Sequence, residues 1–206
     1  MTRLLAVDPA EPSPAALTTA ADVLRGGGLV AFPTETFYGL GAAALDAAAV
    51  RRIVEVKGRP EGKPLLVLVD SIAMAEAVAL AIPAEARALM GRHWPGALTL
   101  VLRARPEVPD AVTAGSGTVG VRLSPHPVAQ ALVRALGAPV TAPSANQSGG
   151  PPPTTAAAVL AEFRDRIDLV LDGGPTAGGE PSTVLDVTVD PPRLVRAGAV
   201  RVSRCA

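Results

Sequence analysis

The chain has 206 residues and a formal net charge of zero, with 19 Lys and Arg against 19 Asp and Glu, so its overall balance does not indicate a nucleic-acid-binding protein. Nearly half of the residues are apolar but only 2% are aromatic, which predicts a single domain over residues 1–206 whose core is built from Ala, Val and Leu. The single cysteine, Cys205, excludes an intrachain disulfide and a cysteine-rich zinc site.

The first 64 residues predict a helix, a strand and a second helix. The N-terminal apolar segment is too short for a signal peptide and no later run approaches transmembrane length, so we expect a cytoplasmic protein with no membrane partner. Residues 14–25 favour a helix that three glycines close. Residues 29–32 favour a strand that stops at Pro33, because proline cannot donate a ladder hydrogen bond.

The second helix carries an unusual cation. Asp46 is a suitable N-cap, and the apolar positions that follow recur at helical spacing, which places Lys57 on the face turned toward the core. A lysine there needs an anionic partner or a route for its ammonium group to solvent. With Arg59 and Lys63 it forms a cluster of three cations that suits a polyanion such as a nucleotide triphosphate. A solvated basic loop after the helix is the alternative, and these residues alone leave both open.

The rest of the chain alternates strands with helices. Residues 104–118 are predicted to be a loop because they are rich in Pro, Gly, Ser and Thr. Several strand pairs lack an intervening helix, which favours a three-layer α/β domain with a mixed sheet. The predicted strands are 65–69, 97–103, 119–123, 140–142, 168–171, 182–189 and 194–202, and the predicted helices are 71–80, 84–93, 128–136 and 155–163.

Two further features have chemical interest. Arg122 lies between apolar residues in a short strand, so we expect an anionic partner for it, and Arg196 raises the same question more weakly. Ser144 and Asn146 lie in a polar loop just past a strand, where ligands of α/β sheets tend to bind, although a simple turn explains the loop equally well. The histidines, His93 and His126, occur in no nucleophile context, which disfavours a hydrolase triad or a transition-metal site.

Five motifs in order resemble the YrdC/TsaC family of threonylcarbamoyl-AMP synthases. They are PTETFYGLG, KGRPEGKP, VGVRLS, APSANQSG and PSTVLDV, and the resemblance runs from about residue 28 to residue 198. It implies a twisted, mixed α/β sheet with helices packed around it and a concave, positively charged cavity. It also implies that L-threonine, bicarbonate and ATP, with Mg²⁺, give threonylcarbamoyl-AMP and pyrophosphate, so the enzyme would be a nucleotidyltransferase. A separate transferase complex then modifies tRNA, and the net charge does not indicate direct tRNA binding.

The resemblance also assigns site residues. The signature positions that imply catalysis are Lys57, Arg59, Ser144 and Asn146. Contacts to ATP are implied for Arg59, Lys63, Thr118, Ser144, Pro152 and Arg196, and contacts to threonine for Thr36, Tyr38, Arg122 and Ser182. No metal ligand is implied; Glu35 is one candidate for holding magnesium, and a carboxylate in such a loop is as often a hydrogen-bond acceptor.

This chain departs from the family pattern in three ways. Leu68 stands where longer relatives often have a histidine, and Ala197 stands where many have a proline after the arginine. The chain ends at Ala206, so we expect the short form without the C-terminal extra domain. Two rival functions stay open: a non-catalytic RNA-binding module of the same fold, and a carbamoyl-adenylate-forming relative.

Overall fold

The computed structural model describes residues 1–60 and 62–202, so Cys205 lies outside the described residues. In that part of the chain helices alternate with strands, and none of the helices is long and apolar enough to cross a membrane. The helices are α1 (Pro14–Arg25), α2 (Ala47–Lys57), α3 (Ile72–Val78), α4 (Ala84–His93), α5 (Asp110–Thr113), α6 (Pro127–Leu136) and α7 (Ala156–Phe163). The strands are β1 (Arg3–Ala6), β2 (Val30–Pro33), β3 (Tyr38–Gly41), β4 (Leu66–Leu68), β5 (Leu98–Arg103), β6 (Thr118–Arg122), β7 (Val140–Thr141), β8 (Leu169–Asp172), β9 (Thr183–Asp186) and β10 (Arg193–Arg196).

The strands form two sheets, each with parallel and antiparallel pairs. A four-stranded sheet has the order β1-β8-β2-β3, and a six-stranded sheet has the order β10-β9-β5-β6-β4-β7. The two sheets meet where β3 runs beside β7, through isolated bridges between Gly39 and Ser144 and between Ala43 and Val140. The predicted α/β class with mixed pairing is confirmed, but the strands divide between two sheets instead of one.

The four-stranded sheet is covered on both faces. Along β2, Val30 and Phe32 point into a core shared with α1 and α6, whereas Ala31 points into a second core shared with α2 and α7. A strand buried on both sides needs apolar residues at every position, which is why β2 reads as a continuous apolar run. Gly41 on β3 is also fixed by packing, because a Cβ there would lie 2.8 Å from both Phe32 and Val140.

The six-stranded sheet is fully covered on one face, whereas its other face is covered only at β4 and β7, where Leu68 and Val140 belong to the smaller core. Leu98, Leu100 and Leu102 on β5 belong to the larger core, as do the valines of β6. The residues between them, such as Thr99 and Gly120, point to the other side, because side chains alternate along a strand. That other side is the floor of the cavity described below.

The predicted second helix is confirmed together with both of its end signals. The Asp46 carboxylate accepts hydrogen bonds from the amides of Ala48 at 2.9 Å and Ala49 at 3.1 Å. Gly58 ends the helix with φ 54°, a left-handed conformation in which glycine pays no Cβ penalty. Lys57, the last helical residue, is therefore held on the buried face, as its spacing predicts.

Three parts of the predicted order need correction. Strands β1 and β3 are additional, and the predicted loop 104–118 contains the short helix α5. The predicted last strand, 194–202, is limited to β10. The chain then turns, and the Ala199 amide donates to the carbonyl of Pro181, just before β9, at 3.0 Å. Gly198 allows this approach, since a Cβ there would lie 2.2 Å from the Pro181 oxygen.

Candidate active site

A cavity of about 500 Å³ lies over the uncovered face of the six-stranded sheet. Thr118, Gly120 and Arg122 reach it from alternate positions of β6, while Val119 and Val121 face the core. Its walls come from the turn between β2 and β3, the loop after α2, the loop after β7, and β10. The sequence-predicted residues that line it are Thr36, Tyr38, Arg59, Thr118, Arg122, Ser144, Pro152, Ser182 and Arg196.

Arg122 on the floor has the anionic partner that its apolar neighbours predict. Its Nη1 donates to the Glu35 carboxylate at 2.7 Å, and the Arg122 side chain is 4% exposed. Glu35 also accepts a hydrogen bond from the Ser124 hydroxyl. Burial lowers the pKa of Arg122, Glu35 opposes that shift, and the nearby Arg196 adds to it. The Arg122 Nε is buried and has no partner among the described residues.

Arg196 faces Arg122 from the edge of the sheet. Its guanidinium donates to the Ser182 carbonyl from Nε at 3.1 Å and from Nη2 at 2.7 Å, and Nη2 also reaches the Ser182 hydroxyl at 3.0 Å. The Ser182 hydroxyl lies 2.9 Å from that of Thr99. Burial lowers the pKa of Arg196. Because neutral oxygens hold this guanidinium, its charge is not neutralised within the site.

Arg59 enters the cavity from the loop after α2. Its Nε donates to the Lys63 carbonyl at 3.0 Å and its Nη2 to the Pro64 carbonyl at 2.7 Å, so the arginine holds its own loop closed. Burial lowers its pKa. A guanidinium has five N–H donors in a fixed plane, and the donors not used on these carbonyls remain for a ligand.

The turn between β2 and β3 supplies hydroxyl groups. The Thr34 hydroxyl donates to the Phe37 carbonyl at 2.7 Å and lies 3.2 Å from the Thr36 hydroxyl. The Tyr38 hydroxyl donates to the Gly174 carbonyl at 2.7 Å. Burial, with a contribution from Asp172, raises the pKa of Tyr38 to about 12, so the hydroxyl keeps its proton at neutral pH.

Lys57, Lys63 and Asn146 do not line this cavity. Lys57 lies behind its wall, where Nζ donates to the carbonyls of Ser144 at 2.6 Å and Asn146 at 2.5 Å. Lys63 is exposed and contributes its carbonyl to Arg59. Asn146 lines a smaller neighbouring cavity of about 250 Å³ that shares Pro152 with the main one.

The sequence did not predict the roles of three contributors to the site, which are Thr99, Gly120 and Glu35. Thr99 and Gly120 alternate along their strands with leucines and valines of the core. This two-residue period could have identified them as residues of the opposite face, where the cavity lies. For Glu35 the sequence leaves open a magnesium ligand or a hydrogen-bond acceptor, and neither alternative names Arg122 or Ser124 as its partner. The contacts of its two oxygens with Arg122 and Ser124 join segments 87 and 89 residues apart, for which no local signal exists.

The chemistry of the cavity is that of an anion site. The charged residues among its described lining are Arg59, Arg122 and Arg196, accompanied by threonine and serine hydroxyls. His126 lies outside it and caps α6 through Nδ1, which accepts from the Val128 amide at 3.2 Å; burial lowers its pKa. Across residues 1–60 and 62–202, no three His, Cys, Asp or Glu side chains are grouped so that they could hold a metal ion.

Comparison with known proteins finds a matching family and similar proteins. The family model Sua5_yciO_yrdC, described as telomere recombination, matches residues 22–198. A threonylcarbamoyl-AMP synthase of Pyrococcus abyssi (strain GE5 / Orsay) is 49% identical over 181 residues, which cover 88% of this chain and 53% of that protein. A Bacillus subtilis (strain 168) protein of the same name is 46% identical over 185 residues, which cover 89% of this chain and 54% of that protein.

A solved structure has the same fold. The crystal structure of P. abyssi Sua5 complexed with L-threonine superposes with a TM-score of 0.92 at 46% sequence identity, covering 96% of this chain and 58% of that one. The chain spans about half the length of the P. abyssi and B. subtilis relatives described above.

Proposed function

Because residues 22–198 match its model, the chain belongs to the Sua5/YciO/YrdC family, and we propose that it is an L-threonylcarbamoyladenylate synthase. It would condense L-threonine, bicarbonate and ATP to threonylcarbamoyl-AMP and pyrophosphate, as a nucleotidyltransferase. Two relatives at 49% and 46% identity bear the name of this activity, and the superposed Sua5 structure holds L-threonine. We further propose that residues 1–206 form one YrdC-like domain.

The observation that carries this proposal is the convergence of three guanidinium groups on one cavity. Arg59, Arg122 and Arg196 come from a loop, a central strand and an edge strand, and they meet where hydroxyl groups are also presented. Like charges brought together at partly buried positions favour binding of an anion. The ATP triphosphate, bicarbonate and the threonine carboxylate are the anions that the reaction requires.

We assign the residues as the family resemblance implies. Threonine would bind through Thr36, Arg122 and Ser182 beside Tyr38, with its carboxylate on Arg122. ATP would bind through Arg59, Lys63, Thr118, Ser144, Pro152 and Arg196. The signature residues Lys57, Arg59, Ser144 and Asn146 would support catalysis, those lining the cavity by direct contact.

The chemistry needs positioning and charge stabilisation more than proton transfer. The unprotonated threonine amine combines with bicarbonate to give a carbamate and water. A carbamate oxygen then attacks the α-phosphorus of ATP, and the bond from that phosphorus to the pyrophosphate oxygen breaks. The attacking group is already anionic, so it needs no general base; fixed guanidinium groups lower the repulsion between the anions and stabilise the departing pyrophosphate. Nearby positive charge also favours the neutral form of the amine.

Magnesium fits this cavity only as a companion of the triphosphate. Both oxygens of Glu35, the candidate ligand, already accept hydrogen bonds from Arg122 and Ser124. Magnesium commonly binds through substrate phosphates and water with few protein ligands. ATP would therefore bring the ion with it, and no protein-held ion enters the mechanism.

The product indicates where the enzyme acts. We propose that a separate transferase complex moves the threonylcarbamoyl group to tRNA, and that the reaction takes place in the cytoplasm, where that tRNA is. The zero net charge does not indicate direct tRNA binding by this chain.

The test is pyrophosphate release with purified protein and ATP, leaving out threonine, bicarbonate or the protein in turn. Release is expected only in the complete mixture, and threonylcarbamoyl-AMP should be detected by mass spectrometry. Turnover that continues without threonine would indicate the carbamoyl-adenylate relative. RNA binding with no ATP consumption in any mixture would indicate the non-catalytic module.

A further inference from the structure

Lys57 is one of only two lysines in the chain, and its environment is the opposite of that of the other, Lys63. Lys57 is the last residue of α2 and is 2% exposed, whereas Lys63 lies six residues further on and is exposed. Burying an ammonium group is unfavourable unless several acceptors surround it. The acceptors that surround the ammonium group of Lys57 therefore indicate its structural role.

Every described hydrogen bond that Lys57 makes beyond its own helix goes to one short segment. Its Nζ donates to the carbonyl oxygens of Ser144 at 2.6 Å and Asn146 at 2.5 Å. Its own carbonyl accepts from the Ser148 amide at 2.8 Å. The end of α2 thus holds residues 144–148 by both its main chain and its side chain.

The contacts of Lys57 are neutral ones. Within the described residues no carboxylate forms an ion pair with it. Burial, with Arg59 adding to the effect and Glu162 opposing it, lowers the pKa of Lys57 to about 8. A cation held by carbonyls alone serves to order those carbonyls, since hydrogen bonds from a charged donor are about twice as strong as neutral ones.

The 144–148 segment presents Ser144 to the cavity. Its other side is attached to β3, where the Ala145 amide donates to the Tyr38 carbonyl at 2.7 Å. Ser144 lines the cavity and Lys57 does not. We propose that Lys57 is a positioning residue: from behind the wall it fixes the 144–148 segment so that Ser144 faces the ligand, and it does not itself touch the ligand. The catalytic part of this proposal rests on the proposed function.

The first test needs no ligand. Hydrogen exchange of the amides of residues 145–150 is compared in wild type, Lys57→Met and Lys63→Met. Lys57→Met keeps the aliphatic stem but removes the ammonium donors, so these amides should exchange about tenfold faster or more. Lys63→Met is the matched control for exchange and should leave them within about twofold. Equal exchange in all three proteins would overturn the proposal, even if the protein has no synthase activity.

The second test is a double-mutant cycle on the KM for ATP and on kcat, using Lys57→Met, Ser144→Ala and the double variant. If Lys57 acts through Ser144, Lys57→Met should change both constants clearly in the wild-type background and by less than about twofold in the Ser144→Ala background. Losses that multiply would show that Lys57 acts on the ligand by a separate route, which overturns the proposal. If wild type has no activity, the exchange measurement still decides it.

A third measurement uses only wild type and covers the case in which Lys57→Met does not fold. Exchange protection of residues 145–150, corrected for the intrinsic rate, should rise about threefold or more from about pH 7 to about pH 9, because opening of the segment returns Lys57 to water, where its pKa is higher and the open form binds more protons. Protection in α6 is the internal control. Arg59 and Glu162 are the charged groups that act on Lys57. Unchanged protection in the segment would overturn the proposal.

Discussion

The two sheets differ in how many of their faces are covered, and this difference separates stability from function. Both faces of the four-stranded sheet pack against helices, so β2 and β8 are apolar at every position except Asp172. One face of the six-stranded sheet belongs to the larger core, and its other face carries Thr99, Gly120 and Arg122 beneath the cavity. The same strand geometry thus supplies a core in one sheet and a binding floor in the other.

Arg122 is the point at which the uncovered face should matter most for stability. Arg122→Met leaves the Glu35 carboxylate without its cation, and breaking a largely buried pair costs about 4 kcal/mol of the free energy of unfolding. Urea denaturation measures this loss. The control is Arg87→Met, which removes an exposed pair with Glu76 and should cost less than about 1 kcal/mol. Equal losses would mean that Arg122 and Glu35 are not coupled.

A substitution at Phe32 measures how much the packing of the four-stranded sheet contributes to stability. Phe32→Ala should lower the free energy of unfolding by about 3–4 kcal/mol, because the ring is fully buried between β2, α1 and α6. Val101→Ala on the uncovered face should cost about 1 kcal/mol, since its side chain borders the cavity. Thermal or urea unfolding of both variants gives the comparison. A larger loss at Val101 would reverse our interpretation of the two faces.

A substitution at Arg59 measures how much the wall of the cavity contributes to the reaction rate. Arg59→Ala should slow pyrophosphate release by about 100-fold to 1,000-fold, which corresponds to about 3 kcal/mol of transition-state stabilisation. Its unfolding free energy should fall by about 1 kcal/mol, because only hydrogen bonds to the carbonyls of Lys63 and Pro64 are lost. Arg87→Ala serves as the distant control for rate. A rate near that of wild type in Arg59→Ala would remove Arg59 from the site.

Lys57 gives a prediction for pH. Its pKa of about 8 in the folded protein lies below the ordinary 10.5, so between these values the unfolded chain binds more protons and stability rises with pH. From about pH 7 to about pH 9.5 the wild type should gain about 2 kcal/mol relative to Lys57→Met. Tyr38, with its pKa raised to about 12, has the opposite effect above about pH 10, so the series ends below that. A constant difference between the two proteins would contradict the lowered pKa.

Gly120 offers the smallest and most local change. A Cβ at this position would contact the Thr99 methyl group at 3.4 Å and project into the cavity. Gly120→Ala should leave the unfolding free energy within about 0.5 kcal/mol but raise the KM of a substrate about fivefold, near 1 kcal/mol. Steady-state kinetics with each substrate varied in turn identifies which one meets the methyl group. Unchanged constants for all substrates would place the ligands away from β6.

Local signals in the sequence predicted most of the helices and the apolar strands. Helix α1 has its predicted bounds, and Asp46 and Gly58 end α2 as expected. Strand β3 escaped prediction because Gly39 and Gly41 indicate a turn, whereas their function is to let the strand approach Phe32 closely. Strand β1 escaped because it is mostly exposed and forms only by pairing with β8, 166 residues away.

The site was predictable in its residue types but not in its connections. The apolar neighbours of Arg122 and the stripe that carries Lys57 correctly indicated burial. Neither could indicate that Glu35 would pair with Arg122, or that carbonyls 87 and 89 residues away would hold Lys57. Such contacts depend on the arrangement of whole strands, which is set by long-range pairing and leaves no local pattern.

The spread of the cavity lining along the chain has a consequence for synthesis on the ribosome. Among the described residues, the cavity lining begins at Thr34 and ends at Arg196. An emerging polypeptide can therefore form the four-stranded sheet and the helices that pack on it before the complete anion pocket exists. Ligand affinity should therefore arise late and abruptly during translation, once the edge strand has docked beside β9, and stalled shorter products should bind neither nucleotide nor amino acid.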